Sequence, residues 1–285
     1  FGDKAFFFFF LAVAVPIMVQ NGITNFVGLL DNIMVGRVGT EQMSGIAIVN
    51  QLLMVFNLAI FGAVSGAGIF GAQYFGCKDY KGVRYAFRFK LYACLILTLL
   101  GVLILVAGGE QLILMYLHGE GVDEQLNAAL QYGKDYLSVM LIGLFPFALE
   151  QVYTSTLREC GETVVPMKAG ITAVLVNLIL NYLLIFGSLG FPELGVVGAA
   201  IATVISRFVQ AGIVMVWTHT HTERMPFIVG AYKRPEIPMH LVGNILKKGT
   251  PLMVNEICWA AGMAYMMQCY SVRGLSAVAA LNISS

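Results

Sequence analysis

Charge is what this sequence has least of. Asp, Glu, Lys and Arg make up 12% of its 285 residues, about half the share of a soluble globular domain. A chain with so little charge cannot cover a folded surface with polar groups, so a water-soluble globular domain is excluded. The 17 basic and 16 acidic residues nearly cancel. No Lys/Arg run with interleaved aromatics is present, which excludes nucleic acid as a partner. The five cysteines (Cys77, Cys94, Cys160, Cys258, Cys269) are scattered. They offer neither metal-ligand spacing nor a disulfide framework, and read as small apolar residues. Walker A, H-E-x-x-H and G-x-S-x-G patterns are all missing. Nor does a basic segment with a small-residue cleavage site precede Phe6–Val15, so no signal peptide is read there. The chain starts at Phe1 and stops inside an unfinished pattern, as expected of a fragment cut at both ends.

What is present is apolar length. Hydrophobic residues reach 58% and mean hydropathy is +0.79. A bilayer core needs about 20 mostly apolar residues per helix. Seven stretches qualify, near 6–34, 44–71, 86–107, 132–156, 164–187, 195–217 and 245–271, and residues after Ser276 look like the start of an eighth. The reading is an all-α polytopic membrane protein with about 7–8 transmembrane helices, partnered by the lipid bilayer. Loop charges alternate. The 2–3 loop holds Lys78, Lys81 and Arg84, with Arg88 and Lys90 just beyond. The 3–4 loop holds Glu110, Glu120, Asp123 and Glu124. Basic residues return in the 4–5 and 6–7 connections, which places the N-terminus and these loops in the cytoplasm.

The chain divides into a six-helix amino-terminal lobe (1–218), a cytoplasmic linker (219–244) and the start of a carboxy-terminal lobe (245–285). The linker carries His219, His221, His240 and three prolines, and is expected to be solvated rather than metal-binding. A weak repeat spans it. Aligning Pro16 with Pro251 also pairs Met18 with Met253, Val19 with Val254 and Gly39 with Gly274. Six helices per copy make the repeat parallel, as in several secondary transporters.

Polar residues inside the spans are few and face partners or cavities. At 100° per residue Gln20, Thr24, Asn25, Gly28, Asp31 and Asn32, with Asn21, share one side of helix 1. Interhelical hydrogen bonding accounts for most such residues. Asp31 is different, because an ionised Asp at the bilayer centre costs about 2.5–3.5 kcal/mol on insertion scales. Helix 5 carries Asn177 and Asn181 four residues apart, and helix 6 carries Thr203. One carboxylate with neutral oxygens suits a hard monovalent cation, or a carboxyl that takes a proton. Asn50 and Asn57 on helix 2, and Glu256, Trp259 and Met263 on helix 7, suit organic cations through charge, cation–π attraction and soft packing. Arg207 on helix 6 has Glu150 as its obvious counter-charge. Gly66, Gly68 and Gly71 spell G-x-G-x-x-G, but no strand precedes them. Gly62 and Gly66 read instead as a close helix-packing face.

The stretches DNIMVGRVG (Asp31–Gly39), TLRECGETVVP (Thr156–Pro166), NLILNYLLIFG (Asn177–Gly187) and FPELGVVGAAIAT (Phe191–Thr203), together with Pro16, resemble the multidrug and toxic compound extrusion (MATE) family. The resemblance covers essentially the whole chain and looks closer to the bacterial DNA-damage-inducible branch than to the norfloxacin branch. It implies twelve helices in two lobes at full length, and a monomer in the bacterial inner membrane. The implied activity is not enzymatic: a secondary antiporter exporting organic cations in exchange for Na⁺ or H⁺, with no other cofactor. It also implies a coupling site at Asp31, Asn177, Asn181 and Thr203, with Pro16 as hinge. Asn181 stands where the family has an acid. The polar, aromatic and methionine residues placed on the helix faces above, Asn21, Thr24, Asn25, Asn50, Asn57, Glu256, Trp259 and Met263, are the expected lining of the substrate cavity. Two other functions fit a chain of this class. A flippase for lipid-linked precursors would need a strongly cationic cavity, and the spans offer Arg207 alone. A lipid-modifying membrane enzyme would need an Asp-rich Mg²⁺ motif, and Asp31 has no second Asp beside it.

Overall fold

The computed structural model describes residues 10–12, 14–23, 25–26, 34, 39–116, 123–233 and 236–271. Among the described residues the chain is nearly all helix, and no strand occurs. They are α1 (Phe10–Ile23), α2 (Thr40–Gly76), α3 (Tyr80–Tyr116), α4 (Asp123–Ile142), α5 (Leu144–Glu159), α6 (Val164–Phe186), α7 (Gly195–Thr220) and α8 (Met239–Ser271). Two short 3₁₀ turns, Ser188–Gly190 and Pro226–Ile228, interrupt the connections. By length and apolarity α2, α3, α6 and α7 can each cross a bilayer alone, and α4 with α5 can do so as one bent pair.

Each of the seven helical stretches expected from the sequence has a counterpart among the described residues, and one is broken; the start of an eighth after Ser276 lies outside them. The stretch read as a single span near 132–156 is α4 and α5, bent by 46° at Gly143. Pro146 is the physical reason. It has no N–H to give the Ile142 carbonyl, and its ring crowds that carbonyl. The Gly143 N–H turns back to Met140 O at 2.9 Å, tightening the end of α4. Helices α2 and α3 are longer than expected, at 37 residues each. At 1.5 Å per residue each spans about 55 Å, well beyond the roughly 30 Å hydrocarbon core. One end of α3 therefore projects from the membrane with Lys81, Arg84 and Arg88 on it.

In lipid, helices associate through van der Waals packing and small residues rather than through the hydrophobic effect. The expected Gly62–Gly66 face of α2 does this work. A Cβ at Gly66 would lie 2.8 Å from the Gly249 Cα of α8, and one at Gly62 would lie 2.9 Å from the Met253 side chain. α6 and α7 form a tight hairpin, closed by the Leu194 N–H on Leu184 O at 2.9 Å. The chain leaves α6 through Gly187 at φ +63°, a left-handed turn natural to glycine.

The connection expected as a solvated linker is instead docked on the bundle. Met225, Phe227, Ile228 and Ala231 are buried in the core. Arg84 Nε donates to Phe227 O at 2.9 Å, and Arg88 donates to Ala231 O at 2.7 Å, Gly230 O at 2.8 Å and Glu236 O at 3.1 Å. His219 stacks on Tyr232 and His221 on Trp217. Apolar residues interleaved among the polar ones supply the burial that a solvated linker lacks.

The α2–α8 crossing yields a test. Gly66→Val should lower the thermal stability of the purified protein by about 1–3 kcal/mol, as overpacking does. Gly76→Ala, where the new methyl meets nothing within 4 Å, should leave the melting curve within a few tenths of a kcal/mol of wild type. Equal effects of the two would refute close glycine packing at this crossing.

Candidate functional site

Two polar clusters lie among the helices, and an open cavity adjoins one of them. The first cluster is between α6 and α7. Asn177 and Asn181 are one turn apart on α6 and both are buried. Asn181 Nδ2 donates to Asn177 Oδ1 at 3.1 Å, and Asn177 Nδ2 donates to Thr203 Oγ1 at 3.3 Å. The Thr203 hydroxyl in turn donates to Ala199 O at 3.0 Å. Three of the four residues expected at the coupling site therefore form one chain of oxygens and amides across the hairpin. The fourth, Asp31, lies outside the described residues.

The second cluster follows α5, with acids at both ends. Glu150 is 3% exposed. It accepts from Thr154 Oγ1 at 2.6 Å, Gln151 Nε2 at 2.9 Å and Gln210 Nε2 of α7 at 3.0 Å. The Arg207–Glu150 ion pair expected from the sequence is not formed. Arg207 instead donates to Gly143 O at 3.3 Å and lies over the Phe147 ring, 5.0 Å from its centroid. Gly143 O, which also accepts the Phe147 N–H at 3.3 Å, answers the guanidinium, and the Phe147 ring, one turn on, covers it. Arg158 reaches α1, donating to Gln20 Oε1 at 2.8 Å.

At the other end of α5, Glu159 meets Lys90 of α3, whose side chain is 0% exposed. Lys90 Nζ donates to both Glu159 oxygens at 2.5 Å, to Ser155 Oγ at 3.1 Å and to Thr156 Oγ1 at 3.3 Å. The carboxylate occupies space left by α2. A Cβ at Gly68 would come 2.7 Å from Glu159 Oε1, and one at Gly71 would collide with Oε2. This accounts for the rest of the G-x-G-x-x-G spelling, which sequence reasoning had explained only through Gly62 and Gly66. In the sequence Lys90 reads as a loop-flanking charge, which hides the pair. A lysine ten residues inside a helix, opposite glycines spaced by three, was the available signal.

The cavity holds about 350 Å³ and is lined by Met54, Asn57, Leu58, Phe61, Phe147, Gln151 and Glu256. It unites α2, α5 and α8, and brings two of the expected substrate residues, Asn57 and Glu256, to one wall. Asn57 Oδ1 is buried without a hydrogen-bond partner among the described residues. Asn50 accepts from Tyr136 Oη at 3.4 Å instead. Asn21 and Asn25 are exposed, as is Trp259, and none of them lines this cavity. Pro16 sits within α1, partly buried. Thr24 lies outside the described residues, as does the side chain of Met263. Among the described residues no group of three His, Cys, Asp or Glu is placed to hold a metal.

Comparison with known proteins agrees with this architecture. The family model MatE matches residues 16–183. The chain is 30% identical over 276 residues to a probable multidrug resistance protein NorM of Thermotoga maritima, covering 94% of this chain and 56% of that protein. It is 26% identical to the Bacillus subtilis protein of the same name, covering 96% of this chain and 60% of that one. Both relatives carry the NorM name, not that of the DNA-damage-inducible branch toward which the motifs point. Among solved structures, a MOP superfamily transporter from Pyrococcus furiosus superposes with a TM-score of 0.81 at 22% identity, over 95% of this chain and 57% of that one. A multidrug resistance MATE family transporter in an outward-facing conformation gives 0.79 at 22% identity, over 93% and 56%. The chain thus spans little more than half the length of the proteins it matches, and the solved structures establish the fold alone.

Lys90 and Glu159 allow a double-mutant test. Lys90→Met leaves the partly buried Glu159 carboxylate without its counter-charge and should cost about 3 kcal/mol. The double variant Lys90→Met/Glu159→Met should recover most of that loss in thermal unfolding of the purified protein. Strictly additive losses would show that the two side chains are not coupled.

Proposed function

The chain belongs to the MatE family, and from that premise we propose that it supplies one lobe of a secondary antiporter that exports organic cations in exchange for H⁺ or Na⁺. Membrane-crossing helices and relatives named for multidrug resistance support a multi-pass transporter of small molecules. The observation that carries the finer reading is the Asn177–Asn181–Thr203 chain buried between α6 and α7. Neutral oxygens and amides without a charge of their own are what a single carboxylate needs to hold a monovalent cation or a proton inside a membrane. Asp31 is proposed as that carboxylate. With Asn181 neutral, the whole negative charge of the site is one, matched to one monovalent ion.

In the proposed cycle Asp31 takes H⁺ or Na⁺ from outside, helix 1 shifts about Pro16, and the bound organic cation leaves outward. Reopening toward the cytoplasm returns the ion and admits new substrate. The cavity beside Asn57 and Glu256 supplies one carboxylate, two aromatic rings (Phe61 and Phe147) and a methionine, Met54, for that substrate. One elementary charge crossing 100 mV yields about 2.3 kcal/mol, enough for an uphill ratio of a few tens of fold. The setting is the bacterial inner membrane, with the N-terminus in the cytoplasm and the protein acting as a monomer.

Two measurements follow. Cells expressing the complete gene product should expel ethidium when a proton or sodium gradient is imposed, and Asp31→Asn should abolish that response. Unchanged ion-driven efflux by the variant would remove Asp31 from the mechanism. Topology is read separately with a membrane-impermeant maleimide. Exposed Cys77, in the basic loop after α2, should react in inside-out vesicles and not in intact cells. Cys160 should stay unmodified in both near neutral pH, because burial pushes its thiol up to about 12. It is almost wholly un-ionised there, whereas the thiolate is the reactive form. Labelling of Cys77 from outside would invert the orientation.

A further inference from the structure

Helix α5 carries a buried glutamate, Glu150, and a partly buried one, Glu159, and their surroundings differ in kind. Glu159 faces Lys90, whose ammonium has donors and no acceptor. Glu159 also accepts from Ser155 Oγ, so it is held by one hydroxyl of its own helix and one touching cation. Glu150 faces one hydroxyl (Thr154) and two side-chain amides (Gln151 and Gln210). Hydroxyls and amides carry both a donor and an acceptor. Each can donate to a carboxylate, and by rotating can accept the O–H of a carboxylic acid. Every partner of Glu150 can therefore serve both protonation states, whereas the cage of Glu159 includes an ammonium that can only donate.

Charge placement points the same way. Among the described residues the two ion pairs are Lys90–Glu159 and Lys134–Glu110, and Glu150 belongs to neither. Arg158 of its own helix is engaged by Gln20, and Arg207 of α7 by Gly143 O and Phe147. Both act on Glu150 from a distance without touching it. On the other packed elements, α3 offers Lys90, already paired; α4 offers Tyr136, which lies beside Arg207. Helix α2 has no charged residue after Glu41, and α6 has only exposed Lys168. A buried acid held without a touching counter-charge is a costly feature in a membrane. It also has a route outward, since its partner Gln151 lines the cavity that Asn57 and Glu256 share. On the other side Gln210 ties it to α7, on the same helix face as Thr203, seven residues earlier.

We propose that Glu150 is a second proton-exchange site of the transport cycle, taking up and releasing one H⁺ through Gln151 and the adjoining cavity. This rests on the antiport reading above and adds a second exchanging group to Asp31. In the step, Glu150 carboxylate and H⁺ give the carboxylic acid, and Thr154, Gln151 or Gln210 turns from donor to acceptor. No other bond changes. Entry of an organic cation beside Glu256 favours the ionised form of Glu150, so substrate binding expels the proton.

The test uses the complete gene product, purified in weakly buffered detergent, with ethidium as probe. Wild type should release protons on binding ethidium. Glu150→Gln should bind ethidium and unfold near the wild-type temperature, but release one proton fewer per ethidium bound. Equal release by wild type and Glu150→Gln would overturn the proposal. Should that variant fail to fold, the wild-type protein decides by itself through dicyclohexylcarbodiimide, which attacks protonated membrane carboxyls. Mass spectrometry should find the adduct on Glu150 at acidic pH, and saturating ethidium should diminish it. Absence of the adduct at every pH, or indifference to ethidium, would overturn the proposal while ion-driven efflux left the antiport reading standing. Loss of all gradient-driven efflux in wild type would overturn the antiport reading itself.

Discussion

A polar side chain inside a bilayer must find its partner within the protein, because lipid offers none. Most of this structure can be read as an answer to that constraint along α5. From Glu150 to Glu159 this one helix carries seven polar or charged side chains, and they reach α1, α2, α3 and α7. Gln20 receives Arg158, Lys90 grips Glu159, and Gln210 joins Glu150. The bend at Gly143 belongs to the same scheme, since the carbonyl presented there receives Arg207.

Glycine provides the space these contacts occupy. On α2 the pair Gly62 and Gly66 lies on one face and admits α8, while Gly68 and Gly71 lie on others and admit the Glu159 carboxylate. A single helix is thus thinned toward two neighbours for two purposes. One contact is pure packing, where backbone meets backbone without hydrogen-bond gain. The other holds an ion pair whose cost in lipid is met only by short, multiple hydrogen bonds.

The apolar runs made the helices legible, because a bilayer demands length and hydrophobicity whatever the tertiary contacts. Asn177, Asn181 and Thr203 were legible as a group, since helical spacing puts the two asparagines on one face and the hairpin brings α7 to it. The break at Gly143 was not read, although Pro146 announced it. The partners of charged residues were read poorly. Arg207 and Glu150 were matched on charge alone, but α7 turns the guanidinium toward the bend and Gln210 toward the acid. Helical phase within a hairpin, set by side-chain packing, decides such pairings, and a sequence carries no direct record of it. The docked connection after α7 was misread for a related reason. Its prolines and charges have the composition of a linker, while Phe227 and Ile228 supply the anchorage.

That connection is held in a particular way. Arg84 and Arg88 grip the carbonyl oxygens of Pro226, Phe227, Gly230, Ala231 and Glu236. Carbonyls are common to every residue, so the grip is blind to side-chain identity. The exposed positions of the segment are consequently free to drift in sequence without loosening it. The two arginines have no such freedom, since a lysine in place of either would offer a point charge where a planar fork now spans several oxygens. Information about the docking is thus stored on α3, at a distance in sequence from the segment that it fixes.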